Sequence, residues 1–221
     1  MPGKKYSRSL YSPLSDKPYK LSRSRIDNFQ NCPRCFYMHE RKGVKAPSGP
    51  AFNLNNAVDN LYKNEFDFYR KEKKPHPIMI KNKIDCIPYE NENLAEWRNA
   101  FKGIKYHDQK TNFIIFGGID DVWINNNEEL HIVDYKATAK QNFKPNFDTG
   151  WEVCYKRQIE IYQWLFKKNG FKVSDIGFII YANGKSDEKE FGGNLMFDEH
   201  LYPLMCDTDW VDKILEEMYE C

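Results

Sequence analysis

Two aspartates and a lysine stand near the ends of two strand-like runs between residues 111 and 136. Asp120 lies near the end of the first run, and Asp134, Tyr135 and Lys136 end the second. Side chains alternate between the two faces of a strand, so Asp134 and Lys136 point one way and Tyr135 points the other. If the runs pair as a hairpin, Asp120 comes up beside Asp134.

Two carboxylates and an ammonium in one small patch are suited to phosphodiester hydrolysis. Carboxylate oxygens are ligands for Mg²⁺ or Mn²⁺, and Mg²⁺ is usually held by one or two carboxylates together with substrate phosphates. Lys136 could orient or activate a water beside such a metal. The alternative is an ordinary solvated strand end. The apolar runs 113–116 and 132–133 favour a function, because burying charges costs free energy unless they are paired or bind a metal.

The residues around these side chains resemble a nuclease signature. Gly118-Ile119-Asp120, followed by Ile132-Val133-Asp134-Tyr135-Lys136, is similar to the pattern G-x-[ILV]-D … [ILV]-[ILV]-D-[YF]-K of the PD-(D/E)XK nuclease superfamily. The similarity is greatest to its RecB-like branch, which includes the CRISPR-associated RecB-type exonucleases. The resemblance implies that Asp120 and Asp134 bind one or two Mg²⁺ or Mn²⁺ ions, that the Tyr135 carbonyl is a further ligand, and that Lys136 positions the attacking water.

Two further segments resemble motifs of the same branch, in the same order. Residues 22–44 are similar to its S-x-[ST]-x-[ILV]-x-x-[FY]-x-x-C-P-x-x-[FY] segment, and residues 158–162 to its Q-[ILV]-x-x-Y motif. On a helix, the i, i+4 spacing puts Gln158 and Tyr162 on one face. The resemblance implies that this pair flanks the catalytic centre and helps to hold DNA or the water network. The alternative is that both side chains simply meet the backbone of the hairpin.

Residues 51–74 are predicted to form a long amphipathic helix, with an apolar side made of Ala57, Leu61, Phe66, Phe68 and Tyr69. In the RecB-like branch this helix often carries a metal-contacting histidine in a G-x-x-[VIL]-H pattern, and Asp59 stands at the matching position. Asp59 is therefore either a further oxygen ligand for Mg²⁺ or Mn²⁺ or an ordinary exposed helix residue. His76, which lies between two prolines, is expected to be exposed. No role is carried over to the first strand, because it lacks the glutamate of many relatives.

The cysteines do not form a recognisable metal motif. Two residues separate Cys32 from Cys35, so this pair could be half of a metal site, and the other four cysteines are scattered. An iron–sulfur cluster would need Cys206 and Cys221 as well, at spacings that the iron–sulfur members of the family do not normally show. We therefore expect buried thiols in a reducing compartment rather than an iron–sulfur cluster.

The order of elements resembles a restriction-endonuclease-like core: α/β, with a mixed central β-sheet flanked by α-helices. Strands are predicted at 104–107, along the two runs, at 175–182 and at 190–197, and helices at 152–168 and 207–219. The turn at residues 125–127 is expected to adopt left-handed backbone angles, which Asn tolerates. Residues 1–23 are expected to form a basic arm, either solvated or touching nucleic acid, and residues 24–221 a single nuclease domain.

The amino-acid composition limits the classes of protein to which the chain can belong. A chain of 221 residues suits one domain, and 41% hydrophobic with 29% charged residues indicates a globular chain. The net charge of +1 provides no general attraction for nucleic acid, so a DNA-binding surface would need a local basic patch. There is no run of about eighteen apolar residues and no apolar signal core at the N-terminus, so no membrane span and a cytoplasmic location are expected.

Three hypotheses follow. The first is a metal-dependent deoxyribonuclease, an exonuclease of RecB-like type in DNA repair, recombination or defence. It would act on single- or double-stranded DNA, with a helicase or other nuclease-complex subunits as candidate partners. The second is a catalytically inactive nuclease-fold module that binds nucleic acid, which the replacement of the usual histidine by Asp59 allows. The third is a cysteine-ligated metal or iron–sulfur scaffold.

Overall fold

The apolar runs form strands and the amphipathic segments form helices in the computed structural model, which describes residues 10–47, 49 and 53–221. The architecture is α/β, with helices flanking two sheets. In chain order the described elements are β1 (Tyr19–Ser22), α1 (Arg23–Asn31), α2 (Pro33–Glu40), α3 (Asn53–Glu72), α4 (Pro77–Lys81), β2 (Cys86–Pro88), α5 (Leu94–Trp97), β3 (Ile104–Asp108), β4 (Phe113–Gly117), β5 (Asp121–Asn125), β6 (Leu130–Thr138), α6 (Val153–Lys168), β7 (Ile176–Gly184), β8 (Phe197–Met205) and α7 (Asp209–Glu220).

The larger sheet has the strand order β2-β5-β6-β7-β8. Strands β6 and β7 pair in parallel, whereas β5–β6 and β7–β8 pair antiparallel, so the sheet is mixed as predicted. The smaller sheet has the order β1-β4-β3. None of the helices in the described ranges is both long and apolar enough to cross a membrane.

Two apolar clusters cover opposite faces of the larger sheet. On one face, Ile132 of β6 belongs to the same cluster as Ile159 of α6. On the other face, Val133 and Tyr135 of β6 pack with Tyr62 of α3. Because successive strand residues face opposite ways, β6 is buried on both sides and presents its even-numbered residues to α6 and its odd-numbered residues to α3.

The first strand-like run is two strands rather than one. Strand β4 belongs to the smaller sheet and β5 to the larger one, and the chain crosses between them at residues 118–120. Glycine eases the close approach at this crossing, because a Cβ on Gly118 would lie 3.2 Å from backbone atoms of Ala100 and Arg98. The hairpin that carries Asp120 and Asp134 is therefore formed by β5 and β6 alone.

Several other expectations are corrected. The β5–β6 turn puts its positive φ on Glu128, at 60°, while Asn125 accepts hydrogen bonds from the N–H groups of residues 127 and 129. The outer strand β8 runs over 197–205 rather than 190–197, and Gly192 and Gly193 have positive φ in the preceding loop.

Parts of the N-terminal half also differ from expectation. Tyr19–Ser22 forms β1 against β4, so this part of the predicted arm is docked in the sheet, while its residues 1–9 lie outside the described residues. The buried side of α3 is Val58, Tyr62, Phe66 and Arg70, whereas Leu61 and Phe68 are exposed. Residues 51 and 52, at the predicted start of this helix, also lie outside the described residues. His76 is buried, because it caps α4 and stacks on Phe66 at 4.1 Å between ring centroids.

Candidate active site

The register of the β5–β6 hairpin brings the two predicted aspartates together. Asp121 pairs with Val133, so the preceding residue, Asp120, stands opposite Asp134 at the end of the ladder. The two carboxyl groups are close enough for the charge of Asp120 to raise the pKa of Asp134. The Asp134 side chain is 1% exposed and that of Asp120 is 20% exposed, so the pair sits at the border between core and solvent.

Lys136 faces the same carboxylates. It lies two residues after Asp134 on β6, and its ammonium forms an ion pair with Oδ2 of Asp134. The ring of Tyr155, on α6, covers the ammonium at 4.7 Å from Nζ to the ring centroid. Strand alternation and one aromatic contact therefore hold the predicted catalytic amine in place.

Gln158 and Tyr162 of α6 have different roles in the structure. Nε2 of Gln158 donates a 2.7 Å hydrogen bond to Oδ1 of Asp134. The Tyr162 hydroxyl donates a 2.6 Å hydrogen bond to the carbonyl of Gly118. Gln158 thus contacts a candidate metal ligand directly, whereas Tyr162 fixes the main chain two residues before Asp120.

Asp59 reaches the same place from α3. Nζ of Lys63, one turn further along the helix, is 2.6 Å from Oδ2 of Asp59 and 3.2 Å from Oδ1 of Asp120. Burial and the nearby charge of Asp120 raise the pKa of Asp59, and Lys63 opposes this rise. The structure therefore gathers three carboxylates, with Lys63 between two of them, and the sequence reasoning missed this lysine.

Tyr135 contributes through its backbone and, separately, through its ring. Its N–H donates a 3.0 Å hydrogen bond to Oδ2 of Asp120. The N–H and C=O of one strand residue point to the same neighbouring strand, so the Tyr135 carbonyl is directed toward Asp120 as well. The phenol points to the α3 face and donates a 2.7 Å hydrogen bond to Oδ2 of Asp121.

A buried ion cluster beneath the site holds this arrangement. Asp121 is fully buried and forms ion pairs with Arg70 of α3 and with Arg98, whose NH2 group is 3.1 Å from Oδ1. Nε of Arg98 also donates a 2.9 Å hydrogen bond to the carbonyl of Asp120, and both arginines pair with Asp67. Sequence reasoning missed this cluster, although two consecutive aspartates inside an apolar run are a signal that one of them needs a buried cation.

The surroundings shift the pKa values of the three central groups. Burial raises the pKa of Asp134 to about 7, and the nearby charge of Asp120 adds to the rise while Lys136 opposes it. Burial acts on Asp120 in the same direction, but Lys63, Lys136 and the Tyr135 N–H outweigh it and lower its pKa. Burial acts to lower the pKa of Lys136, yet Asp134 and Asp120 hold it above the ordinary value. The amine is therefore an ammonium at neutral pH.

These donor groups fit a divalent cation whose remaining ligands are supplied by water or substrate. Oδ1 of Asp59 is a buried oxygen that accepts no hydrogen bond within the described part of the chain, and Asp120 and Asp134 place like charges side by side. A bound cation would satisfy the first and relieve the second. Among the described residues, no three His, Cys, Asp or Glu side chains are placed to hold one metal ion together, so in this arrangement at most two of the carboxylates would bind an ion, and carbonyl, water or phosphate oxygens would have to supply the other ligands.

The four cysteines named above form no metal site within the described part of the chain. Cys32 and Cys35 lie at the start of α2, where Sγ of Cys32 accepts a 3.1 Å hydrogen bond from the Cys35 N–H. Cys221 is close to them, with Sγ at 4.0 Å from the Pro33 carbonyl. Cys206 is buried in the apolar cluster on the α6 face. All four are free thiols, but Cys35 is exposed and Cys32 and Cys221 are only partly buried, so the expectation of buried thiols is wrong for these three.

Comparison with known proteins assigns the family. No curated protein matches the chain. A candidate exonuclease from Eubacterium rectale has a similar structure, with a TM-score of 0.44 and 16% identity over 95% of this chain and 80% of that one. The crystal structure of SSO0001 has a TM-score of 0.40 and 15% identity, covering 93% of this chain and 78% of its own. The family model described as the PD-(D/E)XK nuclease superfamily matches residues 51–204, more than two thirds of the 221 residues. The chain belongs to the PD-(D/E)XK nuclease superfamily.

Proposed function

We propose that this protein is a Mg²⁺- or Mn²⁺-dependent deoxyribonuclease, an exonuclease of the RecB-like type. The observation that carries the proposal is the position of Asp120 opposite Asp134 at the end of the β5–β6 ladder, beside the Lys136 ammonium that pairs with Asp134. An ordinary solvated strand end would not place three charged groups in one partly buried patch. DNA repair, recombination or defence are the processes that fit such an activity, and a helicase or another nuclease subunit is the kind of partner it would need on duplex DNA.

Asp120 and Asp134 would hold the cation, the Tyr135 carbonyl would be a further ligand, and Asp59 would become one if its side chain moved closer to the ion. The bound ion would supply Lewis-acid polarisation of the phosphodiester and of the attacking water. Lys136 is an ammonium, so it would orient that water as a hydrogen-bond donor and stabilise negative charge that develops on the phosphoryl oxygens, rather than act as a base. Gln158 keeps the Asp134 carboxylate in position.

A matched pair of variants tests the proposal. Lys136→Met should abolish cleavage while the protein still unfolds cooperatively in urea, with a loss of about 1–3 kcal/mol of unfolding free energy, because the buried Asp134 loses its ion-pair partner. Lys168→Met is the control, because it also removes a lysine paired with an aspartate, Asp212 at 3.1 Å, but on the far end of α6. The assay uses end-labelled linear DNA and covalently closed circular DNA, each with Mg²⁺, with Mn²⁺ and with a chelator.

The outcomes separate the claims. An exonuclease degrades the linear strands and leaves the closed circle intact, so cleavage of the circle would reassign the enzyme as an endonuclease. Full activity of Lys136→Met, or equal activity in chelator, would contradict the proposed mechanism.

One observation favours the second candidate, a nucleic-acid-binding module that does not cut. Lys63 already places a positive charge between Asp59 and Asp120, and an internal ammonium can neutralise carboxylates that a catalytic site would use for a metal. In that case the protein would bind DNA equally well with or without divalent ions and would leave every labelled substrate intact.

A further inference from the structure

An exposed tryptophan stands next to the candidate active site and takes no part in it. Trp151 lies just before α6 and its side chain is 57% exposed, whereas Trp97, Trp123 and Trp164 are buried. An indole in solvent forgoes the large stabilisation that its burial would bring. Single exposed apolar side chains are common on protein surfaces. The exposure of Trp151 therefore indicates a binding role only if its neighbours support one.

Trp151 is connected to Lys136, the proposed catalytic lysine, through contacts with one intervening ring, that of Tyr155. The ring centroids of Trp151 and Tyr155 are 5.0 Å apart, with an interplanar angle of 72°. Tyr155 in turn covers the ammonium of Lys136. A second lysine, Lys140, places Nζ at 5.1 Å from the Trp151 ring centroid. We refer to Lys140, Trp151 and Tyr155 as the Trp151 platform.

The loop that carries Lys140 and Trp151 is anchored to the rest of the protein. The ring of Phe143 packs at 4.4 Å from that of Tyr181 of β7, and Phe147 is buried. Lys140 and Asn183 exchange two hydrogen bonds, in which the Lys140 N–H donates at 2.9 Å and its carbonyl accepts at 3.0 Å. These contacts hold the loop in place, and the contacts of the indole with Tyr155 and Lys140 restrict its ring. A restricted ring loses less conformational entropy when it binds a ligand.

We propose that the Trp151 platform binds an unpaired nucleobase adjacent to the phosphodiester that is cleaved, so that the substrate enters as a single strand. The inference rests on the proposed nuclease function. Bases stack on aromatic side chains without regard to sequence, and a neighbouring cation strengthens such contacts. In a duplex each base is already stacked and paired, so only a base taken out of the helix can cover the indole.

The distances fit a neighbouring nucleotide. Trp151 is separated from Lys136 by two contacts, of 5.0 Å and 4.7 Å. Successive nucleotides in one strand rise by about 3.4 Å when stacked and by more when the strand is extended. A phosphate at the carboxylates and a base on the platform therefore belong to nucleotides only a few positions apart in one strand.

The charges of the platform predict how its contribution depends on salt. Lys140 also donates a 3.3 Å hydrogen bond to the carboxylate of Glu152, so its charge is partly neutralised within the protein. Phosphate contacts make affinity fall steeply with salt, whereas base stacking does not. Affinity that depends on Trp151 should therefore persist at high salt.

Fluorescence offers a test that does not depend on cleavage. The 221-residue chain is titrated in chelator with a single-stranded oligodeoxynucleotide and with a blunt duplex hairpin of the same composition. We expect the single strand to quench the part of the tryptophan emission that comes from Trp151, and the duplex to quench little of it. Trp151→Ala should remove that quenching and weaken single-strand binding by about 5- to 150-fold, the range for loss of one stacked base, with an unchanged salt slope.

Two further variants control for trivial effects. Trp151→Phe keeps an aromatic face and should recover most of the affinity. Phe191→Ala removes an aromatic residue that is also highly exposed, in the loop before β8, and should bind like the wild type. An oligoribonucleotide of the same sequence shows whether the platform discriminates between DNA and RNA. Tighter binding of the oligodeoxynucleotide would support DNA as the substrate of the proposed nuclease.

The outcomes keep this inference apart from the proposed function. If Trp151→Ala binds and cleaves single strands like the wild type, the platform is overturned and the nuclease stands. If the wild type binds single strands through Trp151 but never cleaves with Mg²⁺ or Mn²⁺, the platform stands and the nuclease proposal fails. Equal quenching by the duplex would also overturn the assignment of an unpaired base.

Discussion

Lys63 gives a direct test of whether a cation binds among the three carboxylates. Its ammonium is 2.6 Å from Asp59 and 3.2 Å from Asp120. A divalent ion held by the same oxygens must displace this ammonium or bind against its charge. Lys63→Met keeps most of the apolar stem and removes the charge, so the change isolates the electrostatic contribution.

The size of the effect follows from the exposure of the two ion pairs. The Lys63 and Asp120 side chains are each 20% exposed, and Asp59 is similar. Partly exposed pairs contribute at most about 1 kcal/mol each, so breaking both costs up to about 2 kcal/mol. Lys63→Met should therefore lower the unfolding free energy of the metal-free protein by about 1–2 kcal/mol. It should tighten Mn²⁺ binding by a similar amount, about five- to thirty-fold in Kd, because the ion no longer has to break the pairs.

Two measurements on the same preparations check this reasoning. Isothermal titration calorimetry gives the Mn²⁺ affinity, and urea unfolding in chelator gives the stability. Lys213→Met is the matched control, since Lys213 is also one helical turn from its acidic partner, Glu217 on α7, and it should change neither value appreciably. If Lys63→Met bound Mn²⁺ no more tightly than the wild type, the space between Asp59 and Asp120 would not be part of the cation site.

Three further predictions concern the scaffold and the titration of the site. Asp121→Asn should cost about 1–3 kcal/mol of unfolding free energy, because Arg70 and Arg98 lose their fully buried carboxylate and keep only the partly exposed Asp67, whereas exposed Asp148→Asn should cost little in the same urea titration. Gly117→Ala should cost about 1–3 kcal/mol, since its Cβ would meet the Tyr162 ring at 2.5 Å; wild-type stability would refute that contact. The pKa of Asp134, raised to about 7, favours the folded metal-free state at low pH, and this contribution is lost as pH rises from about 4 to about 7. Mn²⁺ needs the ionised carboxylate, so its calorimetric affinity should rise with pH below about 7 and then level off; a flat profile would contradict this.

The β5–β6 part of the site could be predicted from sequence because its geometry is local. Strand alternation alone puts Asp134 and Lys136 on one face, and hairpin pairing alone brings Asp120 alongside. The i, i+4 spacing likewise places Gln158 and Tyr162 together, although it could not show that Gln158 would reach the carboxylate while Tyr162 would bind the main chain.

The rest of the site depends on contacts between distant segments. The apolar residues of α3 are spread over more than one face, so the pattern could not show that Phe66 and Arg70 face the sheet while Phe68 does not. Arg70 is buried because Asp121, 51 residues away in sequence, supplies its counter-charge. Once that face is known, Lys63 falls beside the carboxylates, but no local signal in the sequence indicates it.

His76 illustrates the same difficulty with a polar residue. Its position between two prolines predicts an irregular backbone, and such segments are usually solvated. In the structure, however, its ring accepts a hydrogen bond from the Ile78 N–H and contacts the carboxylate of Glu65. These hydrogen bonds offset the free-energy cost of burying the polar atoms of the ring, and the partners cannot be identified before the fold is known.

The adjacent positions of Asp120 and Asp121 limit which insertions and deletions the gene can accept. Asp120 faces Lys63 and the candidate cation site, and Asp121 faces the two arginines of the ion cluster. Adding or removing a single codon within β5, after Asp121, would shift both aspartates by one place relative to β6, which exchanges their faces. The number of residues between Asp121 and the β5–β6 turn is therefore under tighter constraint than their composition, and changes of length are better tolerated elsewhere, such as the loop before β8.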